Sequence, residues 1–396
     1  MLHSKNPNLN HSFYDPAYGF YIVNGIQFPN KIKAFQYATE HNATVEWNFN
    51  RNIFDNVDWT VEPTETLIET YVQRARQLRE KYDYIVINWS GGADSTNVLQ
   101  SFLKAGLRVD ELLIHWPSKA ANGKYTVSLD TSPENIDSEW DLSVLPKLKW
   151  LAAHHPEIKI RTHDYSDDAE SFYKNEEWVY SSAGHLLNPT AGIRWFVGLP
   201  EYQGMADRGL KVGHIFGLDK PRVIYTHGEF KLFFIDMIAN MPHVSYQNSI
   251  NNMNRTELFY WSPESVTLLK KQAHVLMRFF KQNRSLISFL DPELLKRKAF
   301  RSTYELLIKG LLYPGWDMST FQADKPSFLT HGEFDQWFFN KYDNTPVLGA
   351  WNDGIKHIVN TIDDKFISYD KFNRYDDLVT CLSPFYKVGT LNDISQ

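Results

Sequence analysis

Apolar residues recur along this chain with two periods. Ile85, Val86 and Ile87 form a β-branched run of the kind that a parallel strand buried on both faces requires. Leu112 to Trp116, Ile158 to His163 and Val212 to Phe216 repeat it, so four strands are expected. Between them apolar positions fall every three or four residues. Leu67, Ile68, Tyr71, Val72, Ala75 and Leu78 predict a helix over Pro63 to Lys81, and Val98, Leu99, Phe102 and Leu103 predict another beginning at Ser95. Further helices are expected at Leu142 to His154, Ala169 to Tyr180 and Thr190 to Phe196. Strands alternating with helices predict an α/β fold with a parallel sheet, whose ligands bind beyond the C-terminal strand ends. Trp89-Ser90, Trp116-Pro117 and Asp164-Tyr165 are then expected to face one crevice.

The flanks differ. Asn24-Gly25 between Tyr18–Val23 and Gln27-Phe28 is a strong hairpin signal, followed by helical spacing from Lys31 to His41. A small β-β-α lobe is therefore expected over residues 1–60. Arg74, Arg76, Arg79 and Lys81 read as a solvated basic face beside Glu69 and Glu80. Val223–Thr226 and Phe230–Phe234 read as a hairpin around His227-Gly228-Glu229. Beyond Asn240 helices dominate, one opening at Ser262-Pro263-Glu264 and another over Pro292 to Leu312. The aromatic, turn-rich segment from Leu312 to Asp317 reads as loop packing, with a cover that stacks on a planar substrate as the alternative, and the tail from Trp351 carries no chemical signature. The expected division is an N-terminal lobe (1–60), an α/β domain (61–240) and a mainly α-helical C-terminal domain (241–396).

A chain of 396 residues suits two or three domains. Its net charge of −6 gives no overall attraction to nucleic acid, so any such contact would need a local basic groove. The single cysteine, Cys381, excludes an intrachain disulfide framework and a Cys-x-x-Cys metal site. The polar start, MLHSKNPNLN, reads as no secretory signal, and no apolar run approaches ~18 residues. A soluble cytoplasmic protein without membrane partners is expected.

Chemistry concentrates in the loop after the first strand, Ser90-Gly91-Gly92-Ala93-Asp94-Ser95-Thr96. Adjacent glycines let phosphate oxygens approach the backbone, and a helix N-terminus supplies unpaired amides and partial positive charge. Ser90, Ser95 and Thr96 add hydroxyls. Asp94 would repel a phosphate unless a cation lies between, which points to Mg²⁺. The Walker pattern and the dinucleotide Gly-x-Gly-x-x-Gly are both missing here. An ordinary capped turn is the alternative.

The string Ser-Gly-Gly-Ala-Asp-Ser resembles the PP-loop of the N-type ATP pyrophosphatases, over residues 83–225. The whole chain also looks like uncharacterised phage-encoded PP-loop proteins described as phosphoadenosine-phosphosulfate-reductase-like. The resemblance implies an adenine nucleotide alpha hydrolase-like fold, ATP and Mg²⁺ as cofactors, and adenylation of an acceptor with release of pyrophosphate. It implies that Ser90, Gly91, Gly92, Ala93, Ser95 and Thr96 hold phosphate and that Asp94 binds Mg²⁺. It further implies that the strand end at Ile114 and His115 receives adenine. Gly217 permits close approach beside the pyrophosphate, Asp219 supplies a second carboxylate to Mg²⁺, and Lys220 neutralises charge on the leaving pyrophosphate.

Departures narrow the choice. No N-terminal cysteine or glutaminase segment accompanies the loop, and no cysteine lies near it. An ATP-dependent adenylating enzyme using ammonia or an amine is the leading expectation, with a small-molecule or nucleic-acid acceptor unspecified and a homo-oligomer left open. A sulfonucleotide reductase or sulfur-transfer enzyme, working through Cys381, is the second. A nucleotide-binding regulatory protein without turnover is the third.

Overall fold

A computed structural model describes residues 19–116, 118–119, 140–174, 178–181, 189–190, 193, 200–218, 220–236, 253–292, 307–315, 333–369 and 375–392. Strands β1 (Phe20–Val23) and β2 (Ile26–Phe28) pair antiparallel through Asn24 and Gly25, both at positive φ (49° and 79°), as a tight right-twisting hairpin requires. Helix α1 (Lys31–Glu40) is capped by the Asn30 side chain and buries Ile32, Ala34, Phe35 and Ala38. A third strand, β3 (Glu46–Asn48), joins β1, so the lobe is β-β-α-β rather than β-β-α. The three residues Glu-Trp-Asn are too short a run to show a period.

Helix α2 (Leu67–Lys81) opens with a Thr66/Glu69 capping box and feeds β4 (Tyr84–Asn88). Its basic face is not uniformly solvated. Arg74 is 1% exposed, held by Glu264 at 3.1 Å and by the Leu258 carbonyl at 3.0 Å. Position 74 falls three residues after Tyr71 and four before Leu78, on the buried stripe, so its charge is met by carboxylates and carbonyls instead of water.

After β4 come α3 (Ala93–Lys104), β5 (Glu111–His115), α4 (Leu145–His154), β6 (Lys159–His163), α5 (Pro200–Asp207) and β7 (Val212–Phe216). Strands β8 (Arg222–Thr226) and β9 (Glu229–Phe233) form the expected hairpin, with His227 and Gly228 at φ 50° and 78°. Strand β10 (Asn254–Leu258) then returns to the main sheet. That sheet is parallel throughout, in the order β10-β7-β4-β5-β6. Numbered by their succession in the chain and read from β6 to β10, the strands run 3-2-1-4-5, the doubly wound order. Its switch point lies between β4 and β7, where a ligand crevice opens beyond the strand ends.

The boundary expected near residue 240 does not part the chain. Strand β10 supplies the sheet edge, and α6 (Val266–Gln282) packs on α2. The remainder includes α7 (Glu333–Tyr342) and α8 (Pro346–Thr361), but also an antiparallel pair, β11 (Ile367–Tyr369) and β12 (Tyr375–Leu378), and β13 (Tyr386–Thr390), which pairs with β9. Helix still predominates among the described residues after 240, with the short strands β10 to β13 added to it. Nor is the N-terminal lobe separate. Phe35 stacks on Phe366 (4.6 Å), Phe49 meets Phe234 (5.0 Å), and Lys31 reaches buried Asp236 at 2.8 Å. Among the described residues no helix is long and apolar enough to cross a membrane.

Candidate active site at the switch point

The loop after β4 begins by continuing the ladder, the Trp89 amide donating to the Leu113 carbonyl at 2.9 Å. Trp89 is buried and its indole N–H donates to Thr96 Oγ1 at 3.2 Å, locking strand end to helix start. Gly91 then takes φ +75°, and a Cβ there would lie 2.6 Å from Val144 Cγ2, so both backbone angle and space call for glycine. Gly92 is the N-cap of α3, in extended conformation and without a side-chain cap. Its N–H reaches Ser90 Oγ only at 3.4 Å, longer than an ordinary hydrogen bond. The Ser90 and Ser95 hydroxyls lie 3.2 Å apart, Thr96 Oγ1 donates to the Gly91 carbonyl at 3.3 Å, and Lys147 Nζ donates to that carbonyl at 3.0 Å. Ala93 is fully buried beneath the loop.

Gly217, at the end of β7, backs directly onto this turn. A Cβ there would come within 3.0 Å of the Asp94 carbonyl and the Ser95 Cα, so the two strand ends at the switch point touch through backbone. Asp94 Oδ1 meets Lys220 Nζ at 3.4 Å and accepts from the Tyr313 phenol, while its carbonyl accepts from Tyr260 at 2.8 Å. Burial works to raise the Asp94 carboxyl, but Lys220, Lys309 and the Tyr313 hydrogen bond outweigh it and hold it below the usual carboxylate range. Burial and the neighbouring Asp94 charge push the Tyr313 phenol well up, which keeps it a donor. Tyr71, Tyr260 and Tyr313 form a cluster with ring centroids 5.9 to 6.5 Å apart, and Tyr71 in turn donates to the Leu312 carbonyl at 2.8 Å.

The sequence-predicted residues are thus distributed as follows. Ser90, Gly91, Gly92, Ala93, Asp94, Ser95 and Thr96 form one turn, with Gly217 and Lys220 against it. Ile114 is buried in the sheet, and His115 Nε2 lies 3.2 Å from Asn88 Oδ1 at the adjacent strand end. Asp219 lies outside the described residues, as does most of the helix expected over Pro292 to Leu312. Tyr313, Lys309, Tyr260 and Lys147 were not singled out by sequence. Tyr313 stood in the aromatic segment read as packing, and it is indeed packed, with its hydroxyl on Asp94. Cys381 belongs elsewhere: it lines a cavity of about 520 Å³ with Phe35, Trp47 and Phe366, and burial beside Asp236 pushes its thiol up to about 12.

Magnesium can be tested against this donor set. Among the described residues both polar contacts of the Asp94 carboxylate fall on Oδ1, and the side chain keeps 30% of its exposure, so Oδ2 is the oxygen a hard cation would take. Among the described residues no group of three His, Cys, Asp or Glu side chains forms a protein-only cage. The described side chains therefore offer a hard cation the Asp94 Oδ2 oxygen and no complete ligand set of their own. No protein-family model matches the chain, and neither does any curated protein.

Proposed function

We propose that this chain is an ATP pyrophosphatase-type enzyme of the cytoplasm that splits ATP to AMP and pyrophosphate and activates an acceptor for attack by ammonia or an amine. The observation that carries this reading is the turn itself. It combines a positive-φ Gly91, an N-cap without a side chain, and a lysine against the first helical turn, all at the switch point of a 3-2-1-4-5 parallel sheet.

The groups divide the work by their chemistry. The amides at the start of α3, with the Ser90 and Ser95 hydroxyls, hold the terminal phosphates as a leaving group. Lys220 is 4% exposed, and a cation that far from water acts strongly on charge that grows on the leaving pyrophosphate. Asp94 holds that lysine in place at 3.4 Å, and its second oxygen would be the protein ligand for Mg²⁺. The ion, when bound, supplies charge neutralisation across the phosphates.

The test is to incubate the full chain with Mg²⁺ and α-labelled ATP, together with pooled small metabolites, tRNA or DNA, and to separate AMP from ADP. AMP with equimolar pyrophosphate is expected. Asp94→Asn removes it and Ser90→Ala weakens it. ADP as the product, or an Asp94→Asn variant at the wild-type rate, overturns the assignment.

A further inference from the structure

A second polar cluster lies at the same strand ends, on the other side of the loop. His115 and His163 are register partners on β5 and β6, their rings 5.6 Å apart and edge to face. Asn88, the last residue of β4, meets His115 Nε2 through Oδ1 at 3.2 Å. His163 Nε2 lies 3.4 Å from Asp168 Oδ2, just past the end of β6. The row Asn88, His115, His163, Asp168 thus crosses three adjacent strand ends, a span of about 10 Å at ordinary strand spacing.

Among the described residues, Asn88 Nδ2, His163 Nδ1 and Asp168 Oδ2 are buried without a well-formed hydrogen bond, Asp168 Oδ2 having only the long 3.4 Å contact with His163 Nε2. Asn88 is only 8% exposed. Buried polar atoms are nearly always paired, so atoms left over together at one row of strand ends mark a site built for something else. Their chemistry specifies what. With Nε2–H turned to Asp168, neutral His163 presents a lone pair at Nδ1. Asp168 Oδ2 is a second acceptor, and Asn88 Nδ2 is a donor. Two acceptors side by side, one of them a carboxylate, fit a nitrogen that bears several hydrogens and a positive charge. The donor fits an oxygen on the group being attacked.

The surroundings favour a cation. Asp168, Asp164 and Glu201 act on His163, with Arg161 the opposing charge. Arg161 is already bound by Glu111 at 2.7 Å and by Glu201 at 2.5 Å. Asp164 is spent on the Ser118 and Ser166 amides. That leaves Asp168 as the carboxylate with capacity for a guest. Burial raises its carboxyl and lowers the His163 ring, so both favour the uncharged form until a cation enters.

We propose that His163 and Asp168 form the subsite for an ammonium ion or primary amine, with Asn88 turned to the activated acceptor. The catalytic role rests on the adenylation reading, whereas the binding does not. In the reaction His163 Nδ1 takes one proton from the ammonium group. The freed nitrogen lone pair forms a bond to the activated centre, the bond from that centre to the AMP oxygen breaks with its electron pair, and a second nitrogen proton passes to solvent.

The experiment uses the full chain labelled with ¹⁵N in its histidine rings, titrated with ammonium, methylammonium or potassium chloride at constant ionic strength. His163 is assigned by its loss in His163→Gln. A saturable shift of the His163 ring nitrogens with ammonium or methylammonium, absent with potassium, is expected. Tighter binding of ammonium identifies free ammonia as the nitrogen source, and tighter binding of methylammonium a primary amine. Asp168→Asn, which leaves the imidazole in place, weakens binding at least tenfold. An equal response to potassium, no saturable shift, or an undiminished one in Asp168→Asn overturns the subsite. Pyrophosphate release separates the two assignments. Ammonium binding without pyrophosphate leaves the subsite standing and removes the loop reading. Pyrophosphate without ammonium binding does the reverse.

Discussion

Asp94 and Lys220, 126 residues apart in the chain, meet at 3.4 Å across the switch point of the parallel sheet. The lysine is nearly sealed from water and the carboxylate is not, so the pair presents its acid to the crevice and keeps its base beneath. Replacing Lys220 by Met is expected to lower the rate of pyrophosphate release by about 100-fold, the typical effect of removing one preorganised charge partner. Steady-state kinetics on labelled ATP measures it.

The same pair makes a prediction for stability. Because Lys220, Lys309 and Tyr313 depress the Asp94 carboxyl in the folded state, Asp94 adds stability above its unfolded pKa, near 3.8, and loses it as the pH falls through the lower folded value. Asp94→Asn is therefore expected to lower the melting temperature at pH 7, with the difference from wild type shrinking once the pH drops below about 3.8. Thermal unfolding followed by circular dichroism across that range checks it, and a constant difference at all pH values contradicts it.

His214 adds to the same acid limb at higher pH. It is fully buried on β7, 2.8 Å from Asn254 on β10, and burial pushes its pKa down to about 3. Between pH 6.5 and about 3 the unfolded chain binds a proton that the folded chain refuses, so stability falls as the pH falls through that window. The slope is roughly 1.4 kcal/mol per pH unit from this one group. His214→Gln is expected to flatten acid unfolding between pH 6 and 4, measured by urea titration at each pH.

Two glycines separate strain from function. Gly91→Ala forces a side chain to φ +75° against Val144 and should cost about 1–2 kcal/mol or more in urea unfolding. Gly217→Ala has no such angle. Its Cβ presses the Asp94 and Ser95 backbone at 3.0 Å, so weaker nucleotide binding with little loss of stability is expected, read by calorimetry.

Cys381 discriminates the alternative reductase reading. Its raised thiol leaves little thiolate at neutral pH, and its neighbours are Phe35, Trp47 and Phe366 rather than the loop. Cys381→Ser is expected to leave pyrophosphate release unchanged, and loss of activity on a sulfonucleotide would support reduction instead.

Four of the five parallel strands lie where runs such as Ile85–Ile87 and Val212–Phe216 place them, and both hairpins lie where Asn24-Gly25 and His227-Gly228 do. Strand β10 was not legible. Its sequence, Asn-Arg-Thr-Glu-Leu, shows no apolar run, because two of its buried polar side chains are met by distant partners: Asn254 by His214, and Glu257 by Lys81 at 2.7 Å. Arg74 escaped for the same reason. The loop was legible because glycine and hydroxyl residues act locally. Tyr313 on Asp94 was not, since a contact 219 residues away leaves no period behind.

That long reach bears on how the protein is made. A ribosome releases β4, the glycine turn and α3 well before β10, and Tyr313 emerges later still, with β13 closing the β8–β9 hairpin near the end. A nascent chain halted at residue 240 would carry an open sheet edge and an unpinned Asp94, the kind of exposed strand that chaperones shield. Competence is then gained in one late step after synthesis, and truncation from the C-terminus should abolish it long before the glycine turn is reached.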